Sequence, residues 1–233
     1  MRRRRQLLAL IAATACLLSI VGAILYISAK HEPAFYRRGE IVSSALRRQL
    51  AEEFLRCSSE VYNLMANGKP WALNITQDQI NGYLQDEMSA TGGLFSYPDN
   101  VSDPRVEFDT DRIRIGFRYG VGTWSAIVSV DLRTWLVAKE PNTVALELCG
   151  LSVGGLPLGS HAMMEYVTDA AREWNADVTW YRNNAHPVAL IRLQANQNRP
   201  TLQMKRFEIT DGQAHIHGKP TVDAQPATEV TGG

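Results

Sequence analysis

Cysteine is scarce in this 233-residue chain, with Cys16, Cys57 and Cys149 the only three and none spaced as a pair of metal ligands. That excludes the small modules built on cysteine-pair zinc sites. Surplus charge is missing too, because 24 Lys and Arg balance 24 Asp and Glu. The balance is uneven along the chain. Every acidic residue follows residue 30, and beyond that point 19 basic residues face 24 acidic ones, a net of −5. Such a segment lacks the basic surface that a phosphate backbone requires, which excludes nucleic acid as a partner. It also gains no electrostatic attraction to anionic lipid. There is no internal repeat of fixed period and no regular strand-helix alternation, so neither a solenoid nor a doubly wound parallel sheet is expected. The glycines at 120, 122, 154, 155 and 159 lack the helix start and the Lys-Ser/Thr of a nucleotide loop.

What is present begins with one apolar run. Leu7 to Ile27 carries no charge over 21 residues and follows directly on Arg2 to Arg5. As a helix it spans roughly 32 Å, close to the hydrocarbon thickness of a bilayer. A cleavable signal has a shorter apolar core ending in small residues. A lipoprotein signal centred on Cys16 needs a polar tether after it, but Leu17, Leu18, Ile20 and Val21 follow. Arg4-Arg5-Gln6-Leu7-Leu8 is a weak twin-arginine pattern without its usual flanks. A retained membrane anchor fits best. Four arginines at one end outweigh Lys30, Arg37 and Arg38 at the other, where Glu32 and Glu40 offset them, so the N-terminus is expected inside and the rest outside. The expected organisation is a cytoplasmic basic stub at 1–6, a transmembrane helix at 7–29, an extracytoplasmic domain at 30–220 and a disordered tail at 221–233.

The domain itself reads as α+β. Val42, Leu46, Leu50, Phe54, Cys57, Val61 and Leu64 form one helical stripe after Pro33, with Pro33 and Gly39 as kinks. Thr76 and Gln79 form a capping box for the next helix, with Ile75 stapled to Ile80 and an inward face of Ile80, Tyr83, Leu84 and Met88. From Val106 the pattern alternates with period two. Strands are expected around Val106–Phe108, Ile113–Tyr119, Trp124–Ala138, Thr143–Val153, Val188–Gln194, Thr201–Thr210 and Gln213–His217, joined by tight turns such as Asp211-Gly212. A helix capped by Ser160 runs to about Asn175 between them. Short turns between strands imply a curved antiparallel sheet, packed on two or three helices. Cys57 and Cys149 fall on a helix and a strand, compatible with a disulfide or with two buried thiols.

Several patterns invite chemistry. Gly150-Leu151-Ser152-Val153-Gly154 matches the nucleophile elbow of serine hydrolases, which needs a sharp strand-to-helix turn after the serine. Here Gly155, Pro157 and Gly159 oppose an immediate helix. His215 and His217 lie on one side of a strand and supply half a metal site, with no third ligand tied to them by spacing. Asp109-Thr110-Asp111 resembles the D-x-D of metal-dependent sugar transferases, but sits where a turn is expected. The five tryptophans fill a core or line a groove. These patterns yield no committed catalytic, cofactor-binding or metal residue, and no cofactor is expected.

The order of features resembles a known group. An Asn-Ile-Thr cap at 74–76 precedes Ile80-Asn81-Gly82-Tyr83-Leu84; strands follow, then the apolar turn Leu151 to Leu158 and a further helix. This layout resembles the YpmS-like membrane-anchored bacterial proteins of unassigned function and, more distantly, tubular lipid-binding domains, in which a curved sheet wraps a helix around an apolar channel. The resemblance implies a non-enzymatic envelope protein with a lipid-binding groove, and carries over no functional residue. The expectation is therefore a single-pass, membrane-anchored extracytoplasmic protein, not an enzyme, that binds lipid or another apolar envelope ligand. The alternatives are a membrane-bound serine hydrolase using Ser152 and a scaffold making protein contacts only.

Overall fold

The computed structural model describes residues 2–87, 100–173, 177–192 and 202–220. It is α+β, an N-terminal apolar helix followed by antiparallel sheets that curve without closing. The expected Met88, the 91–93 stop, Trp174 and the 221–233 tail lie outside the described residues.

Helix α1 runs from Arg2 to Ala29. From Ala13 to Ile27 every side chain is exposed, including Leu17, Leu18, Ile24 and Ile27. The run is long and apolar enough to cross a membrane.

The chain then breaks at Lys30–Pro33, where Pro33 precedes the five-residue helix α2, Ala34–Arg38. Phe35 and Tyr36 are buried here and pack with Ile127. Tyr36 donates its hydroxyl to the Asp103 carboxylate at 2.9 Å and to the Asp103 carbonyl at 2.8 Å. Burial, then the Asp103 charge, pushes the Tyr36 hydroxyl far above the ordinary tyrosine range. Arg105, itself buried, donates to the Tyr36 carbonyl at 2.7 Å, stacks 4.2 Å over the Tyr36 ring and pairs with Asp103. Gly116 leaves room for the two rings, since a Cβ there would stand 2.7 Å from Tyr36 Cδ2 and 3.1 Å from Phe35 Cζ.

The expected long helix is therefore two helices. Gly39 closes α2, and α3, Ser44–Ala66, starts afresh on the Ser43 cap. Val42 falls outside it and is exposed, whereas Ala51 and Val61 are its buried residues. Strand β1, Trp71–Thr76, comes next and leads straight into helix α4, Gln77–Glu87. The capping box forms as expected, with Gln79 N–H donating to Thr76 Oγ1 at 3.1 Å and Thr76 N–H to Gln79 Oε1 at 3.0 Å.

The large sheet has the order β2-β3-β4-β5-β8-β7, with the two-residue β6, Leu156–Pro157, paired to β5. Its strands are β2 Val101–Asp109, β3 Arg112–Tyr119, β4 Ala126–Leu136, β5 Thr143–Val153, β7 Asp177–Asn183 and β8 His186–Arg192. Helix α5, His161–Glu173, links β6 to β7, and Trp180 Nε1–H donates to Thr168 Oγ1 at 2.9 Å to hold it there. The smaller sheet has the order β1-β10-β9, with β9 Leu202–Thr210 and β10 Gln213–Pro220. The two sheets meet at Ile75, Phe108, Ile209 and Ala214, against which Phe54, Ile80 and Ile113 pack. Strands β1 and β7 were not expected, and the single expected sheet is two.

The inward face of α4 also differs from expectation. Tyr83 is buried, but so are Asn81 and Gln85, with Asn81 fully so. The reason is the exposed rim of β2, an edge strand whose backbone groups need partners. Asn81 imitates a strand: its Nδ2 donates to the Val106 carbonyl at 2.8 Å and its Oδ1 accepts from the Val106 N–H at 2.7 Å. One turn earlier, Gln77 Oε1 accepts from the Phe108 N–H at 3.1 Å. One turn later, Gln85 joins the 39–41 linker, donating to the Gly39 carbonyl and accepting from the Ile41 N–H. Gly82, on the other side, lets α3 approach, because a Cβ there would lie 2.5 Å from Leu50 Cβ. The Asn81-Gly82 pair thus joins α4 to a strand and to a helix at once.

Asn81→Ala removes both bonds to Val106 and is expected to destabilise the fold by about 2–3 kcal/mol. Thermal unfolding of the detergent-solubilised chain should show a midpoint lower by roughly 5–10 °C. An unchanged midpoint would show that α4 does not close the β2 edge.

Candidate functional site at the helix-domain junction

The described residues build a tight junction where α1 meets the large sheet. Its parts come from three loops. Ser28 and Ala29 end the apolar helix, and the Ser28 carbonyl accepts from the Gly155 N–H at 2.7 Å. Gly154 and Gly155 form the two-residue turn between β5 and β6, since Val153 pairs with Leu156. Gly154 has φ +58°, and a Cβ on it would lie 2.4 Å from the carbonyl oxygens of both Ser28 and Ala29. Only glycine satisfies both demands. Its own N–H donates to the Ile127 carbonyl at 2.6 Å, which ties the turn back to β4.

The second loop is Gly120–Ser125, between β3 and β4. Lys30 reaches across to it, and its ammonium donates to the Thr123 carbonyl and, at 2.5 Å, to the Ser125 carbonyl. The loop is shaped for this by Gly120 at φ +105° and by Ser125, whose hydroxyl donates to the Gly122 carbonyl. The third contact is Arg118 on β3 with Glu32, at 2.8 Å. The Glu32 hydrogen bond raises the Arg118 pKa further above its already basic value. Helix end, linker and sheet are therefore joined by a backbone bond, a lysine clamp and an ion pair.

Around this junction the surface is apolar where a soluble domain would be polar. Trp124 is 86 % exposed and Val121 71 %. Leu158 and Tyr119 are exposed as well, Leu158 just past β6 and Tyr119 at the end of β3. Trp124 follows Thr123, the residue whose carbonyl Lys30 holds, and Val121 lies two residues before it. They therefore stand within a side chain's reach of the level at which α1 leaves its apolar run.

The sequence candidates fall elsewhere. Ser152 lies within β5, paired with Ser129 on one side and Pro157 on the other. The chain continues into a hairpin and not a helix, so the strained elbow that exposes a nucleophile is not formed at Ser152. Gly154, the last residue of that motif, has the junction role described above. Asp109 and Asp111 flank the β2–β3 turn, where Asp109 Oδ1 accepts from the Thr110 N–H and Asp111 has φ +57°. His215 bonds to Asn74 on β1, Nδ1 to Oδ1 at 2.9 Å, while exposed His217 borders an open groove of about 590 Å³ over Trp71. Neither histidine belongs to a three-ligand cluster among the described residues. Such a cluster does occur at Glu147, Cys149 and His186. Cys57 and Cys149 are free thiols.

Sequence reasoning took Lys30 only as a charge, and Gly154 as part of a hydrolase motif, as a sheet bend or as part of the apolar turn Leu151 to Leu158. The usable signal was Gly154-Gly155 between apolar residues, a hairpin turn pattern. No protein-family model, curated protein or solved structure matches the chain.

Gly154→Ala places a methyl group against two carbonyl oxygens and strains the turn. The Gly155 amide is then expected to exchange hydrogen about 10- to 100-fold faster, while β9–β10 amides keep their rates. Equal exchange at Gly155 in both proteins would mean that the turn does not hold the helix end.

Proposed function

We propose that this chain is a single-pass membrane protein whose α+β domain lies outside the cytoplasm, carries out no chemistry, and binds lipid at the membrane surface. The observation that carries the reading is the exposure of Trp124, Val121 and Leu158 beside a helix end that the domain grips directly. A domain on a loose tether would not hold those side chains at any fixed depth. The Ser28–Gly155 bond and the Lys30 clamp support a fixed depth for them, at the level where headgroups would meet acyl chains. An exposed tryptophan at that level is an interfacial anchor, apolar in its body and polar at its N–H. With a net charge of −5 beyond residue 30, the domain gains little from anionic headgroups, and apolar insertion carries the contact.

Orientation follows from the same junction. At this end of α1 Lys30, Arg37 and Arg38 are offset by Glu32 and Glu40, and Arg118 and Arg38 are paired with Glu32 and Glu107. Arg2 to Arg5 stand at the other, which favours a cytoplasmic N-terminus. The layout resemblance to YpmS-like proteins and tubular lipid-binding domains agrees with lipid as the ligand class. The open sheets favour contact at the rim over an enclosed channel. The hydrolase alternative at Ser152 loses its geometric support, since β5 runs on into a hairpin.

Brominated lipids, with bromine close to the glycerol end of the chains, test this directly in nanodiscs holding the full chain. Tryptophan emission should be quenched, and Trp124→Phe should abolish most of that quenching. Emission that brominated lipid leaves unaltered, or quenching that Trp124→Phe leaves intact, would contradict lipid contact and favour a protein partner at the same surface.

A further inference from the structure

A second site lies well away from the junction. We propose that Glu147, Cys149 and His186 bind a single Zn²⁺-like divalent cation through carboxylate, thiolate and imidazole. The site goes beyond the membrane role and does not depend on it. Glu147 is seven residues along β5 from Gly154, about 23 Å at the rise of a strand.

Strand register brings the three together. Antiparallel pairing of β5 with β8 sets Glu147 opposite Val188. Carried two residues further, the same register sets Cys149 opposite His186. A bulge falls at this point, since Asp131 pairs with Gly150 and Leu132 with Leu148, leaving Cys149 as the extra residue. Bulges re-aim side chains, and this one leaves the thiol among the other two donors. The three ligand atoms all lie within 4.8 Å of one another.

The geometry needs little adjustment. His186 Nδ1 and Glu147 Oε1 are 3.2 Å apart. Two ligands bonded to tetrahedral zinc at about 2.0–2.1 Å stand roughly 3.3 Å apart. The electrostatics also call for a cation. The Glu147 side chain is only 6 % exposed, and its hydrogen-bond partner among the described residues is His186. A buried carboxylate is costly without compensating charge. Arg133, its register partner on β4, is exposed and makes no ion pair with it among the described residues. Across the bulge, the Asp131 carboxylate pairs with Arg112 through Oδ2 at 2.8 Å and leaves Oδ1 buried without a partner.

The donor set selects the metal. Thiolate and imidazole suit zinc, whereas magnesium and calcium prefer oxygen ligands alone. His186 is 46 % exposed, which gives the ion an entry path and leaves a fourth position for water. Sequence spacing could not reveal the site, because His186 lies on a strand far along the chain from Cys149.

The full chain, purified in detergent without a polyhistidine tag, can be titrated with Co²⁺ as a spectroscopic probe and then with Zn²⁺. One equivalent of Co²⁺ should produce a thiolate-to-cobalt charge-transfer band that Zn²⁺ abolishes. Cys149→Ser should remove the band and Cys57→Ser should keep it. His186→Gln, at a half-exposed position that spares the core, should weaken Co²⁺ binding at least about tenfold. Absence of the band, its survival in Cys149→Ser, or unaltered affinity in His186→Gln would overturn the assignment.

Discussion

The structure turns on the junction between an apolar helix and the sheets that follow it. Fifteen consecutive positions of α1, Ala13 to Ile27, are exposed, and the helix is long and apolar enough to cross a membrane. The exposed run ends at Ser28, Ala29 and Lys30, where the domain meets it with its own backbone. Gly154 is what permits this. Without a Cβ, and at a φ that other residues adopt only under strain, it lets a hairpin turn lie against the last helical carbonyls. Gly155 then donates to the Ser28 carbonyl, which also accepts from the His31 N–H of its own chain end, so one carbonyl joins helix end and hairpin. Lys30 completes the junction by spending its charge on two carbonyls of the neighbouring loop.

Behind the junction the fold is held by polar groups standing in for backbone. Asn81 and Gln77 of α4 close the β2 edge, and Gln85 fixes the 39–41 linker between α2 and α3. Arg105 and Asp103 hold Tyr36 of α2 against the same strand. The short helices are thus tied to the sheet by directed bonds, beside apolar contacts from Phe35 and Tyr36 in α2 and from Ile80 and Tyr83 in α4. Directed bonds fix orientation better than apolar packing alone.

Local signals in the sequence carried much of the fold. The α+β class, the capping box at Thr76 and Gln79, the limits of β5 and the Asp211-Gly212 hairpin all follow from patterns within a dozen residues. What escaped is non-local. Strand β1 is six residues long, and its partner β10 lies far along the chain, so nothing nearby marks it as a strand. Asn81 and Gln85 read as surface residues, because only an unpaired edge makes their burial favourable. The same holds for the sites. Lys30 gains its meaning from Thr123 and Ser125, and Glu147 from His186, pairings that sheet topology creates and spacing does not show.

The central claim is that helix and domain move as one body. Double electron–electron resonance between spin labels at Val21 in α1 and Thr110 in the β2–β3 turn, with the chain in nanodiscs, tests it most directly. The account predicts one narrow distance distribution that broadens in Gly154→Ala. A broad distribution in the unmodified junction would contradict it, and would leave the domain on a flexible tether with no defined depth for Trp124.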